Sequence, residues 1–299
     1  VDVPDLNGRE AILKIHTRKV RLGKDVDLSV IAKSTPGLAG ADLENLVNES
    51  ALLAARNNKK TISMIDFENA KDKVMMGNER KSMVLTPNDK KIIAYHEAGH
   101  ALVAYHTKGA DPVHKITIIP RGQALGITAQ IPEVERFNYP KSYMLGKLDI
   151  LMGGRCAEKL VFNDTSTGAG NDIEVATNIA RKMVCDWGMN DKIGPLKFGK
   201  KDEEVFLGRD YSQQKNYSEE KSILIDQEIS NFVKNAELNA DKLLSKYRKQ
   251  LDDISMVLLE KETISGDEMR NIIEGNIEEK IKEDSSTQKK SRRSSNQEK

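Results

Sequence analysis

The sequence predicts a mainly α-helical protein of two domains, a four-helix domain followed by a larger, mostly helical domain with a small β-hairpin. Three observations support this fold class. Apolar residues recur at helical spacing near the amino terminus and again after residue 216. The only clear strand patterns lie between residues 114 and 131, and a polar stretch at 77–82 separates two helical patterns. We therefore place the two domains at residues 1–78 and 79–275.

Four short helices are expected in the first domain. The first starts close to the amino terminus, the second follows Asp27, the third runs from Gly40 to about Asn57, and the fourth begins at Ser63. Apolar residues repeat at intervals of three and four through these segments. Short amphipathic helices of this kind pack into a small bundle. The residues alone therefore predict a helical domain without assigning it a function.

Two histidines four residues apart, His96 and His100, form an H-E-x-x-H motif with Glu97. On a helix this spacing puts both imidazoles on one side, about 6 Å apart along the axis, where both can reach one metal ion. Glu97 lies beside that face and is placed to take a proton from a water molecule next to the metal. The motif predicts a zinc-dependent peptidase with Glu97 as its catalytic base. The alternative is a helix that carries two unrelated surface histidines.

The residues around the motif are typical of a buried helix. Thr86 is a good N-cap, Pro87 suits the first helical position, and Asp89 favours the positive end of the helix dipole. Apolar residues flank the motif on nearly all sides of the helix, which indicates burial. Buried imidazoles need polar partners, and a metal ion supplies one. Gly99 is a poor helix former, and indicates that another segment or a substrate backbone comes close there.

A tetrahedral catalytic zinc needs a third protein ligand. His106 has the spacing of the metzincins, but Val103 stands where that class has the glycine at which its chain turns. The helix should therefore continue and carry His106 about 9 Å beyond His100, too far to share a metal. Glu133 and Glu135 are carboxylates downstream of the motif, but they lie in an expected loop.

A better candidate for the third ligand is Asp172. A glycine-rich loop at residues 165–171 leads into a helical pattern that ends at Trp187, so Asp172 lies at the rigid start of a helix. The alternative interpretation is that Asp172 only caps that helix. Glu158 is the second candidate ligand.

The strand patterns at residues 114–119 and 126–131 are separated by a turn signal and predict a hairpin beside the metal. Such a hairpin can bind substrate as an added strand, or it can simply pack on the zinc helix. A helical stretch from 216 to about 250, and a last short helix opened by a capping box at 265–268, are interpreted as scaffold and subunit contacts.

Several segments together carry a recognisable pattern. They are HEAGHALVAY at 96–105, KITIIPRG at 115–122, ALGITAQIP at 124–132, GGRCAEKLVF at 153–162 and STGAGNDIEVATNIARKMV at 166–184. In these segments the chain resembles FtsH, the family of membrane-anchored, ATP-dependent zinc metalloproteases, and the resemblance covers residues 1 to about 275. It implies that Asp172 is the third ligand of one Zn²⁺ per chain. It also implies that the first domain is the lid of an AAA ATPase.

In that lid, the resemblance implies that His16, Gly40 and Ala41 touch the adenine nucleotide. Without the family, they are a surface histidine and a pair of residues at a helix start. The chain has no G-x-x-x-x-G-K-[ST] phosphate-binding loop, since the nearest segment, 194–201, carries lysine in place of the hydroxyl residue. The chain also opens on Val1 inside what resembles a domain. We therefore expect a fragment, with ATP and Mg²⁺ bound only by the full-length protein.

Composition excludes few partners but is consistent with these expectations. The net charge is +1, with 31% charged and 5% aromatic residues, so no nucleic-acid partner is indicated. No apolar run approaches a transmembrane span, and no signal peptide begins the chain. The two cysteines lack C-x-x-C spacing, which favours a reducing compartment. The polar segment 276–299 is interpreted as a disordered tail.

The resemblance implies a function for the full-length protein. A homo-hexamer at the cytoplasmic face of the inner membrane, anchored through an upstream segment, would degrade unfolded, damaged or tagged proteins. The alternative is a proteolytically inactive, metal-binding module that serves assembly or substrate docking. The intact Glu97 argues against it, because a purely structural metal site has no use for that carboxylate.

Overall fold

Helices dominate the protein, and a small antiparallel sheet packs beside the buried helix that carries the H-E-x-x-H motif. This architecture confirms the predicted fold class. The computed structural model describes residues 3–80, 83, 85–122, 124–132, 136, 138–198 and 218–275.

The four helices predicted near the amino terminus are present. They are α1 (Leu6–His16), α2 (Leu28–Lys33), α3 (Gly40–Arg56) and α4 (Met64–Met76). Their starts follow local chemistry: the Asp27 carboxylate accepts a hydrogen bond from the Ser29 amide at 2.8 Å, and Asp66 closes a capping box with Ser63. Leu43 and Phe67 are among the side chains that fill the core of this bundle.

Helix α5 (Pro87–His106) carries the H-E-x-x-H motif and begins as predicted. The Thr86 side chain accepts a hydrogen bond from the Asp89 amide, and the Asp89 carboxylate accepts one from the Thr86 amide. Every residue from 93 to 104 is buried. The helix is therefore the centre of the second core, as its apolar surroundings predicted.

The predicted hairpin is confirmed, with somewhat shorter strands. Strand β1 (Val113–Thr117) pairs with β2 (Ile127–Gln130), and Ile116 lies opposite Thr128. The sequence did not predict the strand on the other side of β1, β3 (Thr263–Ser265), because three residues are too few to show alternation. The strand order is β2-β1-β3, which leaves β2 at an edge of the described sheet.

Helix α6 (Lys141–Phe162) packs against α5, and α7 (Gly170–Cys185) packs against α6. Helix α6 was not predicted from the sequence patterns. An added Cβ on Gly99 would lie 2.5 Å from the Gly153 carbonyl oxygen, so glycines bring the two backbones together. The close approach predicted from Gly99 is therefore an approach by α6.

Three further helices complete the second core: α8 (Glu219–Lys246), α9 (Arg248–Lys261) and α10 (Gly266–Ile273). The helical stretch predicted to about residue 250 is interrupted at Tyr247, whose φ of −109° and ψ of 31° break the α8 geometry, and helix resumes to Lys261. The capping box of Ser265 and Glu268 opens α10 as predicted.

The apolar side chains form two separate cores, one drawn from residues 13–70 and one from residues 93–272. The domain limits of 1–78 and 79–275 stay a prediction, and the predicted tail at 276–299 lies outside the described residues. Both cysteines, Cys156 and Cys185, are buried free thiols. Within the described ranges, none of the helices combines the length and the hydropathy that a membrane crossing requires.

Candidate metal centre

The H-E-x-x-H side chains line a cavity of about 870 Å³ between α5, β2, α6 and the start of α7. His96 and His100 are each only 8% exposed, and Glu97 is 6% exposed. Asp172, in the first turn of α7, lines the same cavity. The structure therefore brings together all four residues predicted for this site.

Three donor atoms in the cavity converge. The Nε2 atoms of His96 and His100 lie 3.0 Å apart, and Asp172 Oδ2 is 3.2 Å from the first and 3.3 Å from the second. Asp172 is not the cap of α7, because Ala169 occupies that position and makes no side-chain cap. Within the described part of the chain, these residues form the one group of histidine, cysteine and acidic side chains suited to a metal ion.

The surroundings leave room for a cation in front of these donors. An added Cβ on Gly154 of α6 would lie 2.5 Å from His96 Nε2 and 2.6 Å from His100 Nε2. A glycine at this position keeps the space beside both imidazoles free of side-chain atoms. Two imidazole nitrogens and one carboxylate oxygen are a donor set that suits catalytic zinc. The residues present therefore fit a zinc ion.

The outer ring nitrogens are held from behind. His96 Nδ1 lies 2.6 Å from Glu158 Oε1, and His100 Nδ1 lies 2.7 Å from the Ile150 carbonyl oxygen. Each of these oxygens accepts a hydrogen bond from the protonated Nδ1, which leaves the lone pair of Nε2 facing the cavity. Glu158, the second candidate ligand, therefore lies behind the ring of His96, while Asp172 lies in front of it.

Glu158 is itself fixed by its surroundings. Its Oε2 accepts a hydrogen bond from the Ser166 amide at 2.6 Å, and its Oε1 accepts one from the Ser166 hydroxyl at 3.1 Å. Burial raises the pKa of this carboxyl, but the hydrogen bonds with His96 and Ser166 outweigh burial and lower it. A buried carboxylate held ionised in this way orients His96 strongly.

The histidines and carboxylates of this site shift one another's pKa values. Burial lowers the pKa of His96, but hydrogen bonds with Asp172 and Glu158 outweigh burial and raise it to about 10. Burial also raises the pKa of Asp172, and the two histidines reverse this and hold it well below its usual range. The two carboxylates thus favour a positive charge in the cavity, which is the charge that a divalent metal supplies.

Glu97 points into the cavity beside the donors but is not one of them. Its Oε2 accepts a hydrogen bond from the Thr128 hydroxyl at 2.7 Å. Burial raises the pKa of the carboxyl, and the neighbouring His100 and His96 partly oppose this rise. A carboxyl with a raised pKa is a better proton acceptor, so Glu97 is suited to general-base chemistry near neutral pH.

The rejected ligand candidates lie elsewhere or outside the described residues. Helix α5 continues through Val103, and the ring of His106 stacks on Tyr247 with 3.7 Å between centroids. His106 Nε2 also lies 3.0 Å from Gln250 Oε1. Its exclusion as a ligand agrees with this geometry. Glu133 and Glu135 fall outside the described residues.

The predicted nucleotide-contacting residues lie near one another in the first bundle. His16 ends α1, and its Nδ1 is 3.9 Å from Glu44 Oε1 in the second turn of α3. Gly40 and Ala41 begin α3, and an added Cβ on Gly40 would lie 3.9 Å from Ile12 Cδ1 of α1. The end of α1 and the start of α3 thus form one side of the bundle, and nucleotide contact by these residues stays a prediction.

Three residues of the site were not identified from the sequence. Gly154 makes room for the donors, Thr128 holds Glu97, and an added Cβ on Gly126 would lie 2.7 Å from Glu97 Oε1. Two adjacent glycines, 153 and 154, inside a helical apolar pattern are a signal of close backbone approach. Nothing in the spacing of Thr128 and Gly126 indicates which side chain they contact.

Comparison with known proteins places this site within a family. The family model described as Peptidase family M41 matches residues 83–272, and the AAA+ lid domain model matches residues 25–69. The chain belongs to peptidase family M41. This membership confirms the predicted enzyme class, a metallopeptidase. The AAA+ lid match covers α2, α3 and the start of α4.

Similar curated proteins support the same assignment. Proteins named ATP-dependent zinc metalloprotease FtsH from Thermotoga maritima, Acidobacterium capsulatum and Myxococcus xanthus are 52%, 53% and 53% identical over 94%, 91% and 91% of this chain. The resemblance to FtsH seen in the sequence motifs is therefore confirmed. The chain spans less than half of these relatives, 46%, 42% and 43% of their length.

Proposed function

We propose that this chain is the peptidase module of an ATP-dependent zinc metalloendopeptidase, with His96, His100 and Asp172 as the ligands of one Zn²⁺ per chain. The observation that carries the proposal is the convergence of three donor atoms, no more than 3.3 Å apart, beside the buried carboxylate of Glu97. The zinc metalloprotease names of relatives about 52% identical support it independently.

Bound Zn²⁺ supplies Lewis acidity, which polarises a peptide carbonyl and lowers the pKa of water. Glu97 accepts a proton from the attacking water and returns it to the leaving amine. Glu158 and the Ile150 carbonyl hold the two imidazoles so that both Nε2 atoms face the cavity. Apolar side chains that include Ile93 line part of the same cavity, and the lower local dielectric beside them strengthens these polar contacts.

We propose that the substrate binds as an extended strand along β2. One edge of β2 pairs with β1, and no strand in the described residues pairs with the other edge. Gly126, Ile127, Thr128 and Gln130 line the cavity that holds the donors. Backbone pairing of this kind is insensitive to side-chain identity and requires an extended chain, so unfolded polypeptides are the substrate class that it fits.

In a longer protein we propose that this module works with an ATPase core. The lid match at residues 25–69 supports an AAA neighbour, and His16, Gly40 and Ala41 are the proposed contacts to ATP with Mg²⁺. A homo-hexameric ring, anchored by an upstream segment at the cytoplasmic face of the inner membrane, would enclose the sites and admit unfolded, damaged or tagged proteins. A strictly monomeric species with full activity, seen by light scattering, would contradict the ring.

Casein degradation with and without a zinc chelator, by the wild type and by Glu97→Gln, tests the peptidase proposal. Glu97→Gln should keep about one zinc per chain and lose cleavage by at least about 100-fold, because it removes the base and leaves the donors. Glu260→Gln, which changes an exposed carboxylate on α9, is the matched control and should retain activity. Chelator-insensitive cleavage would contradict the assignment, and a wild type that binds zinc without cleaving would identify an inactive docking module.

A further inference from the structure

One hydroxyl on the edge strand contacts Glu97 at two places. Thr128 Oγ1 lies 2.7 Å from Glu97 Oε2 and 3.0 Å from the main-chain carbonyl oxygen of the same residue. A hydroxyl has a single proton to donate, so these two acceptors share it, and the shorter distance is to the carboxylate. The other carboxylate oxygen, Oε1, accepts no hydrogen bond from the part of the chain that the structure describes.

The strand places this hydroxyl rigidly. Thr128 pairs with Ile116 of β1, so its backbone is fixed by the sheet. Its β-branched side chain has a restricted χ1. Gly126 lies two residues earlier, just before β2, and an added Cβ there would lie 2.7 Å from Glu97 Oε1. The two residues thus surround the carboxylate, one by donating a hydrogen bond and the other by leaving space.

A carboxylate on a glutamate needs such a constraint. The terminal torsion of a glutamate side chain has a broad energy profile, so burial alone does not select one orientation of the two oxygens. A hydrogen bond to Oε2 selects one and leaves Oε1 available to a water molecule in the cavity. Strand β2 is also the proposed substrate-binding edge, so one element aligns both the scissile peptide and the group that moves the proton.

We propose that Thr128 is a positioning residue for the general base, acting through the orientation of the Glu97 carboxylate. This inference rests on the proposed function, since it assigns a role in the same reaction. The hydrogen bonds of the Thr128 hydroxyl go to Glu97 and to none of the three donor atoms. Its removal should therefore slow the chemical step and leave metal binding and substrate binding unchanged.

The test compares Thr128→Val, which removes the hydroxyl at nearly constant shape, with Thr128→Ser, which keeps it. Zinc-loaded chains are assayed for kcat and KM on fluorescently labelled, unfolded casein, and for zinc content. Thr128→Val should lower kcat by about 10-fold, less than the loss in Glu97→Gln, with KM and zinc content unchanged. Thr128→Ser should recover most of the loss. Thr263→Val in β3, where the hydroxyl lies 2.8 Å from that of Thr117, is the matched control and should retain kcat.

Each contrary outcome identifies its own cause. A wild type without chelator-sensitive cleavage defeats the proposed function itself. An active wild type with an inactive Glu97→Gln, but with Thr128→Val equal to wild type in kcat, defeats only this inference. A raised KM at constant kcat would make Thr128 a substrate contact. A lower melting temperature with full kcat per folded chain would make its role structural, and would also overturn the inference.

Discussion

The protein holds two groups in which histidine meets buried or half-buried carboxylates, and they are built differently. We call the first the donor group and the second the junction group. The donor group consists of His96, His100 and Asp172, and the junction group of Glu68, Lys71, Asp72, His114 and Lys115. The junction group joins α4 of the first bundle to β1 of the second unit. Both groups contain histidine and carboxylate side chains, but lysine is present only in the junction group.

In the junction group the protein supplies its own positive charge. Lys71 is 3% exposed and lies 2.6 Å from Glu68 Oε2, and Lys115 forms an ion pair with Asp72. The donor group contains no lysine, and its three atoms face one another across a space kept free by Gly154. Buried lone pairs that converge without a lysine or arginine beside them favour the binding of a cation from solution. The comparison therefore supports the proposed metal site at the donor group and distinguishes it from the lysine-neutralised junction group.

The largest expected effect comes from removing the carboxylate of the donor group. Asp172→Ala should reduce zinc occupancy to a small fraction of one per chain and abolish casein cleavage, because two imidazoles and water bind zinc far less well than three protein ligands. Metal analysis after dialysis against limiting zinc measures this. His106→Ala removes a histidine of the same helix that stacks on Tyr247, and it should leave occupancy unchanged. Full zinc occupancy in Asp172→Ala would show that Asp172 is not a ligand and would contradict the assignment of the donor group as the metal site.

A smaller effect is expected from the residue behind the donor group. Glu158→Gln preserves the shape of the side chain but weakens the hydrogen bond that orients His96, whose Nδ1 lies 2.6 Å from Glu158 Oε1. Zinc affinity should fall by about 10- to 100-fold, while saturating zinc restores one ion per chain and most of the activity. Competition with a chromogenic chelator reports the affinity. If saturating zinc fails to restore occupancy, Glu158 is a ligand and not a support.

Much of the fold could be predicted because its signals are local. The capping residues Thr86, Asp27 and Ser63 and the apolar periodicity placed most helix starts, since caps satisfy orphan amides within a few residues. Helix α6 and strand β3 were not predicted. The former is apolar and carries adjacent glycines, and the latter has only three residues. Both are stabilised by contacts with distant segments, which a local pattern does not show.

The candidate site divides in the same way. His96, Glu97 and His100 follow from one helix turn, whereas Asp172 is 76 residues away from His96 in sequence. The loop and helix pattern made Asp172 only a candidate, and the family resemblance strengthened that choice over Glu158. The residues that were not identified, Gly126, Thr128 and Gly154, act by approaching α5 from β2 and α6. No spacing rule gives the contact of a strand face with a helix. Only the three-dimensional structure shows those roles.

The smallest expected effect lies in the junction group and depends on pH. Burial raises the pKa of Glu68, but hydrogen bonds and charges from His114 and Lys71 outweigh burial and lower it from 4.5 to about 2. A carboxyl whose folded pKa is depressed stabilises the fold above its unfolded pKa, and this stabilisation is lost as the pH falls through the folded value. The window therefore lies between about pH 5 and pH 2.

Glu68→Gln should thus cost about 1 kcal/mol of unfolding free energy at pH 7, a figure reduced for the partial exposure of the side chain, and almost nothing near pH 2. Denaturant titrations at several pH values, followed by a probe in the first bundle, measure the difference. Glu260→Gln changes an exposed carboxylate and should show no such trend. Zinc content should stay at the wild-type level in both variants, since the contacts of Glu68 go to Lys71 and His114 and not to the donor group. A Glu68→Gln variant that lost zinc would show that the junction group supports the metal site. The two groups would then not be independent, which would contradict the comparison between them.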